Sequence, residues 1–152
     1  MVKLKVVNYE FFTFSSQKGF VESTGVNLLL EDGRVFTMFN IPKFIAIECL
    51  RLKESLMDDY RMSLGEVLSD LPDLEKAVSQ TIESIIIDTL DKDRDIYAAT
   101  LVKKNGMHKE LKMIPSHAIL LSLIAGIDIY VDENLVSEQE KKAQRDYMEK
   151  FP

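Results

Sequence analysis

The chain has 152 residues and a formal net charge of −6, with 46% hydrophobic and 29% charged residues. That length suits one domain with one real core, and the composition excludes disordered and collagen-like chains. Sequence-blind binding to DNA or RNA is disfavoured, because such binding rests on Lys and Arg neutralising phosphate and this surface is acidic on average.

The start, Met1 to Lys5, lacks the layout of a secretion signal. Lys3 to Phe14 is rich in Val, Tyr, Phe and Thr and reads as a strand. Ser15-Ser16-Gln17-Lys18-Gly19 has turn chemistry. Val26 to Glu31 and Arg34 to Phe39 flank Asp32-Gly33, a strong hairpin signal. Pro42 then opens a helix whose apolar face is expected to carry Phe44, Ile45, Ile47, Leu50, Leu52 and Leu56, with Lys43, Glu48, Arg51 and Lys53 opposite. The single cysteine, Cys49, lies on that helix; an internal disulfide is impossible, and a buried, inert thiol in a reducing compartment is expected.

Ser63-Leu64-Gly65-Glu66 has the S-x-x-E form of a capping box and opens a second helix, and Leu74 to Gln80 follows Pro72 as about two more turns. Glu83 to Leu90, Ile96 to Lys103 and His108 to Ile114 read as three strands, with Asn105-Gly106 as the second hairpin turn. A helix from Ser116 to Ala125 ends at Gly126, and Ile127 to Val131 is a short strand. Ser137-Glu138-Gln139-Glu140, a second S-x-x-E, is expected to open a charged terminal helix running to Lys150. Met113 to Ile127 holds no charged residue but is shorter than the roughly 20 residues that span a membrane, so a soluble cytoplasmic protein is expected.

The order contains an internal repeat. Displaced by 73 positions, Leu28 falls on Leu101, Gly33 on Gly106, Ile41-Pro42 on Ile114-Pro115 and Leu50 on Leu123. The first strands match at a displacement of 80, Val6-Val7-Asn8 on Ile86-Ile87-Asp88. The expected fold is therefore a single α+β domain of duplicated β-β-β-α units, with a mainly antiparallel sheet flanked by helices. Residues 1–136 form its body, and 137–152 a charged helix packed on it or extending from it.

Ile85-Ile86-Ile87-Asp88-Thr89-Leu90 followed by Ile96-Tyr97-Ala98-Ala99-Thr100-Leu101, then Ile114-Pro115-Ser116-His117-Ala118-Ile119, then Gly126 to Val136, together resemble motifs of the bifunctional nuclease family. These correspond to its "V-I-x-x-L-x-x-x-x-F-Y-A-x-L" hairpin, its "R-P-S-D-A-I-x-L-A" helix start and its "G-A-P-I-Y-V-x-E-x-V" ending. The resemblance implies a DNase and RNase fold and hydrolysis of phosphodiester bonds, with a divalent metal as the general cofactor class. It also implies a homo-oligomer, in the simplest form a dimer. Where the family has "R-P-L-T-H-D-L-L", this chain has Arg61-Met62-Ser63-Leu64-Gly65-Glu66-Val67-Leu68, so the His becomes Gly65 and the Asp becomes Glu66. In the helix start the Arg becomes Ile114 and the Asp becomes His117, while the family's Glu before the first helix aligns with Lys43.

Four candidates for catalysis follow, each beside a plainer alternative. Glu66 stands at a family acid but is explained by its capping box. Arg61 is a phosphate clamp or an exposed loop residue. Ser116 offers a helix start to a phosphate or caps its own helix. His117 replaces an acid at a helix opening or is a surface histidine, and the other histidine, His108, forms no metal spacing with it. Asp91-x-Asp93-x-Asp95 has the start of a calcium loop, but Ile96 and Val102 stand where Gly and Glu are needed, which favours a solvated turn. The competing function is a non-catalytic oligomeric binding or assembly module. A nucleic-acid site requires the dispersed bases Lys3, Lys5, Lys43, Arg51, Lys53, Lys103, Lys104, Lys109 and Lys112 to gather on one face.

Overall fold

Among the described residues, alternating and β-branched segments give seven strands, and their pairing sets everything else. The computed structural model describes residues 1–15, 22–54, 60–104 and 111–151. The expected turn at 16–19, Leu56, the Asn105-Gly106 turn, His108 and Lys109 lie outside those residues. The elements are β1 (Lys3–Ser15), β2 (Glu22–Leu30), β3 (Val35–Met38), α1 (Lys43–Glu54), α2 (Leu64–Ser69), α3 (Pro72–Thr81), β4 (Ile82–Asp91), β5 (Ile96–Lys103), β6 (Leu111–Met113), α4 (Pro115–Ala125), β7 (Ile129–Asp132) and α5 (Glu133–Lys150).

The sheet order is β3-β2-β1-β7-β4-β5-β6. Among the described residues every pairing is antiparallel except β4 with β7, so the sheet is mixed. The order reads the same from both ends, with β7 at its centre, and β1 and β4 run in opposite directions beside it. A two-fold relation normal to the sheet between two β-β-β-α units produces this pattern, as the duplication predicts. Both first strands also carry a bulge: the pairing shifts between Val6 and Asn8 in β1 and between Ile87 and Thr89 in β4. One difference is invisible in the ungapped match. Val26 pairs with Met38, but its counterpart Ala99 pairs with Met113 rather than Leu111, a two-residue offset on the return strand.

One face of the sheet holds the core. Val26, Leu28 and Leu30 of β2, Phe36 of β3, Ile85 and Ile87 of β4, Val131 of β7 and Ile119 of α4 are almost fully buried together with Cys49. Each such aliphatic side chain contributes roughly 1.5–3 kcal/mol on burial. The Phe36 and Tyr97 rings meet edge to face with centroids 5.0 Å apart, although their strands stand first and sixth in the order. The sheet therefore curls, closing its core-bearing face over α1 and α4, which pack against each other.

Three local expectations are corrected. On α1 the buried residues are Ile45, Ala46, Glu48 and Cys49, whereas Phe44 and Ile47 are exposed, because α1 turns the Glu48 side toward α2. The terminal helix begins at Glu133, not Ser137: Asp132 is its N-cap and accepts from the Asn134 N–H at 3.0 Å. Helix α4 is capped by no side chain, since its N-cap is Ile114, so Ser116 does not cap its own helix. Gly126 does end α4, with φ 67° in the left-handed region that glycine tolerates.

Helix α5 covers the β3 edge of the sheet. The Gln139 carboxamide accepts from the Thr37 N–H and donates to the Thr37 carbonyl, both at 2.8 Å, as a neighbouring strand would. Arg34 reinforces the contact through Asp32, Glu140 and Glu133 at 2.8, 3.0 and 3.4 Å.

Candidate functional site

The expected capping box at Ser63 forms in full. Ser63 Oγ accepts from the Glu66 N–H at 3.3 Å, and Glu66 Oε1 accepts from the Ser63 N–H at 2.9 Å. The same Glu66 oxygen is held by Arg51, with Nε at 2.8 Å and Nη2 at 2.7 Å. Arg51 Nη2 also donates to the Arg61 carbonyl at 3.2 Å. Arg51 on α1 thus ties together the loop before α2 and the first turn of α2. The Ser63 N–H, and after it Arg51, hold the Glu66 carboxyl below its ordinary 4.5.

Beside this network lies a second carboxylate. Glu48 is 5% exposed, and its Oε1 accepts from the Gly65 N–H at 2.7 Å. A Cβ built on Gly65 would run into Glu48 Oε1 and approach its Cγ to 3.1 Å. The absence of a side chain at Gly65 thus leaves room that the Glu48 carboxylate fills. Burial, and then the Glu48 charge, push the neighbouring Cys49 thiol up to about 12, which keeps it protonated and unreactive at neutral pH.

Of the four candidates, Glu66 is buried and Arg61 is exposed, and Arg51 joins them through Arg61's backbone. Ser116 is buried and His117 exposed in the first turn of α4, a helix that packs against α2. Neither Ser116 nor His117 hydrogen-bonds the Glu66 carboxylate, which Ser63 and Arg51 occupy. A cavity of about 240 Å³ lies elsewhere, at the opening of α1, lined by Ser23, Thr24, Asn40, Ile41, Pro42 and Lys43 with Glu22. Glu48 and Arg51 were not singled out by sequence reasoning. Their i, i+3 spacing on α1, facing a box with an acid in it, was the available signal.

The acids present do not suit a metal. Glu66 and Glu48 are taken by N–H and guanidinium donors, and among the described residues no three His, Cys, Asp or Glu side chains converge. Asp91 accepts from the Asp93 and Arg94 N–H groups at 3.1 and 3.3 Å, which is the solvated-turn alternative.

Nor do the described bases Lys3, Lys5 and Lys112 share a side with Arg51 and Lys53. Lys5, Tyr130, Ile86, Thr100 and Lys112 form one cross-strand row on the sheet face opposite the core. There Lys5 meets Asp128 at 3.4 Å, Lys112 meets Asp88 at 3.4 Å and Thr100 Oγ1 at 2.6 Å, and Lys3 lies 4.3 Å over the Tyr130 ring. Arg51 and Lys53 sit on α1, across the core, where Lys53 donates to the Tyr9 carbonyl at 2.8 Å. The two groups of bases occupy opposite sides of the molecule.

A model of the bifunctional nuclease domain matches residues 69–144, half of the chain. The matched segment runs from the end of α2 into α5 and contains Ser116 and His117, whereas Arg61 and Glu66 precede it. No curated protein matches the chain. Among the described residues no helix is long and apolar enough to cross a membrane.

Proposed function

We propose that this chain, which belongs to the bifunctional nuclease domain family, uses the fold as a non-catalytic assembly module, a homo-oligomer whose simplest form is a dimer. The observation that carries the reading is the α1–α2 network. The carboxylate at the family's acid position accepts from Ser63 and Arg51, and Glu48 lies against the glycine at the family's histidine position. A general base needs a free lone pair directed at a substrate proton, and a metal ligand needs one directed at the ion. Both acids here instead join helices. The separation of the bases supports the same reading, since phosphate binding requires positive charges in one groove.

Fluorescence anisotropy with labelled single-stranded RNA and DNA at physiological salt tests it. No saturable binding is expected. Saturable binding that falls with added salt and weakens in Lys5→Ala or Lys112→Ala would overturn it.

The nuclease reading keeps one specific support. His117 is exposed at the opening of α4, beside the first-turn N–H groups and within the matched segment. It requires that cleavage of RNA or DNA be lost in His117→Ala.

A further inference from the structure

Helix α5 has two unlike halves. Its first turns bury Leu135 and Val136 and hold β3 through Gln139. From Glu140 onward every residue to Phe151 is exposed. The segment from Lys141 to Lys150 is therefore an arm roughly 15 Å long at 1.5 Å per residue. An isolated helix of that length is marginal in water. Yet the arm carries Tyr147, Met148 and Phe151, each 62–64% exposed, with the Tyr147 and Phe151 rings 5.0 Å apart. It is also basic within an acidic chain: Lys141, Lys142, Arg145 and Lys150 stand against Asp146 and Glu149.

A complementary surface lies on α2 and the start of α3. Leu64 and Val67 stand three apart on α2, and Leu71 follows as the N-cap of α3; they are 70%, 41% and 46% exposed. The exposed acids Asp70 and Asp73 stand beside them.

We infer that the α5 arm of one copy docks on the Leu64–Val67–Leu71 strip of a second copy, with Lys141, Lys142 and Arg145 facing Asp70 and Asp73, and that the exchange is reciprocal. A reciprocal exchange closes a two-fold dimer and leaves no open surface for a third chain. This deepens the assembly reading and rests on it by naming the surface and the partner.

Size-exclusion chromatography with light scattering on the full chain tests the inference. The expected mass is twice 17.4 kDa. Tyr147→Glu, Val67→Glu and the double charge reversal Lys141→Glu/Lys142→Glu should each raise the dissociation constant about tenfold or more. All four positions are exposed, and circular dichroism checks that the fold persists. Adding Asp70→Lys/Asp73→Lys to the arm reversal should restore the dimer. A wild-type mass of one chain overturns the inference. A dimer that ignores all of these substitutions also overturns it, and leaves the assembly reading to another surface. Nucleic-acid binding by the intact dimer would instead overturn that reading while leaving the arm in place.

Discussion

Gly65 shows how one missing side chain redirects its surroundings. Any Cβ there meets Glu48, whose carboxylate is buried and bonded to the Gly65 N–H. Gly65→Ala should therefore cost about 1–3 kcal/mol, as overpacking of a tight site does, read from the urea midpoint. Glu48→Ala in the same chain should recover part of the loss. Ser63→Ala removes one arm of the capping box and should cost about 1 kcal/mol. Glu66 sets a pH dependence whose sign is fixed by its lowered carboxyl. Its contribution is fully present above the unfolded value near 4.5 and is lost as pH falls through the lower folded value. Acid unfolding of Glu66→Gln should thus show a shallower decline below pH 4.5 than the wild type. The box was legible because Ser63 and Glu66 satisfy each other over three residues. In sequence Glu48 reads as a surface charge, because its partner is a backbone N–H seventeen positions away, which no local pattern encodes.

Among the elements, α5 is where local and tertiary signals competed. Ser137-Glu138-Gln139-Glu140 has the letters of a helix start, but Asp132 four residues after Asp128 caps the helix first. Leu135 and Val136 then belong to the core, and Gln139 faces the edge of β3 rather than its own backbone. Gln139→Ala should leave the fold intact and speed hydrogen exchange at the Thr37 amide, because that N–H loses its acceptor on a sheet edge. Unchanged protection at Thr37 would mean that α5 does not guard the strand. The duplication itself was legible, since Asp-Gly or Asn-Gly, then Ile-Pro, then the apolar helix recur in order. The two-residue offset of the second hairpin was not, because it alters pairing while the matched residues Leu28 and Pro42 keep the same spacing from Leu101 and Pro115.

At the scale of the molecule, the curl of the sheet decides where charge and site residues end up. Closing Phe36 against Tyr97 places α1 and α4 on one side and the Lys5–Lys112 row on the other. A linear list of lysines carries no such information, and neither does a hydrophobic pattern. The acidic balance, by contrast, was legible and now has a spatial form: Lys112, Lys5, Arg51 and Lys53 are engaged by Asp88, Asp128, Glu66 and the Tyr9 carbonyl. Glu66 and Glu48 join α1 to α2, and the proposed non-catalytic role follows from that use of both acids. Incubating the purified chain with labelled single-stranded RNA and DNA, across several divalent metals and pH values, tests that claim most directly. Intact substrate is expected under every condition, the same as for Glu66→Ala and His117→Ala. Degradation by the wild type that disappears in either variant would contradict it.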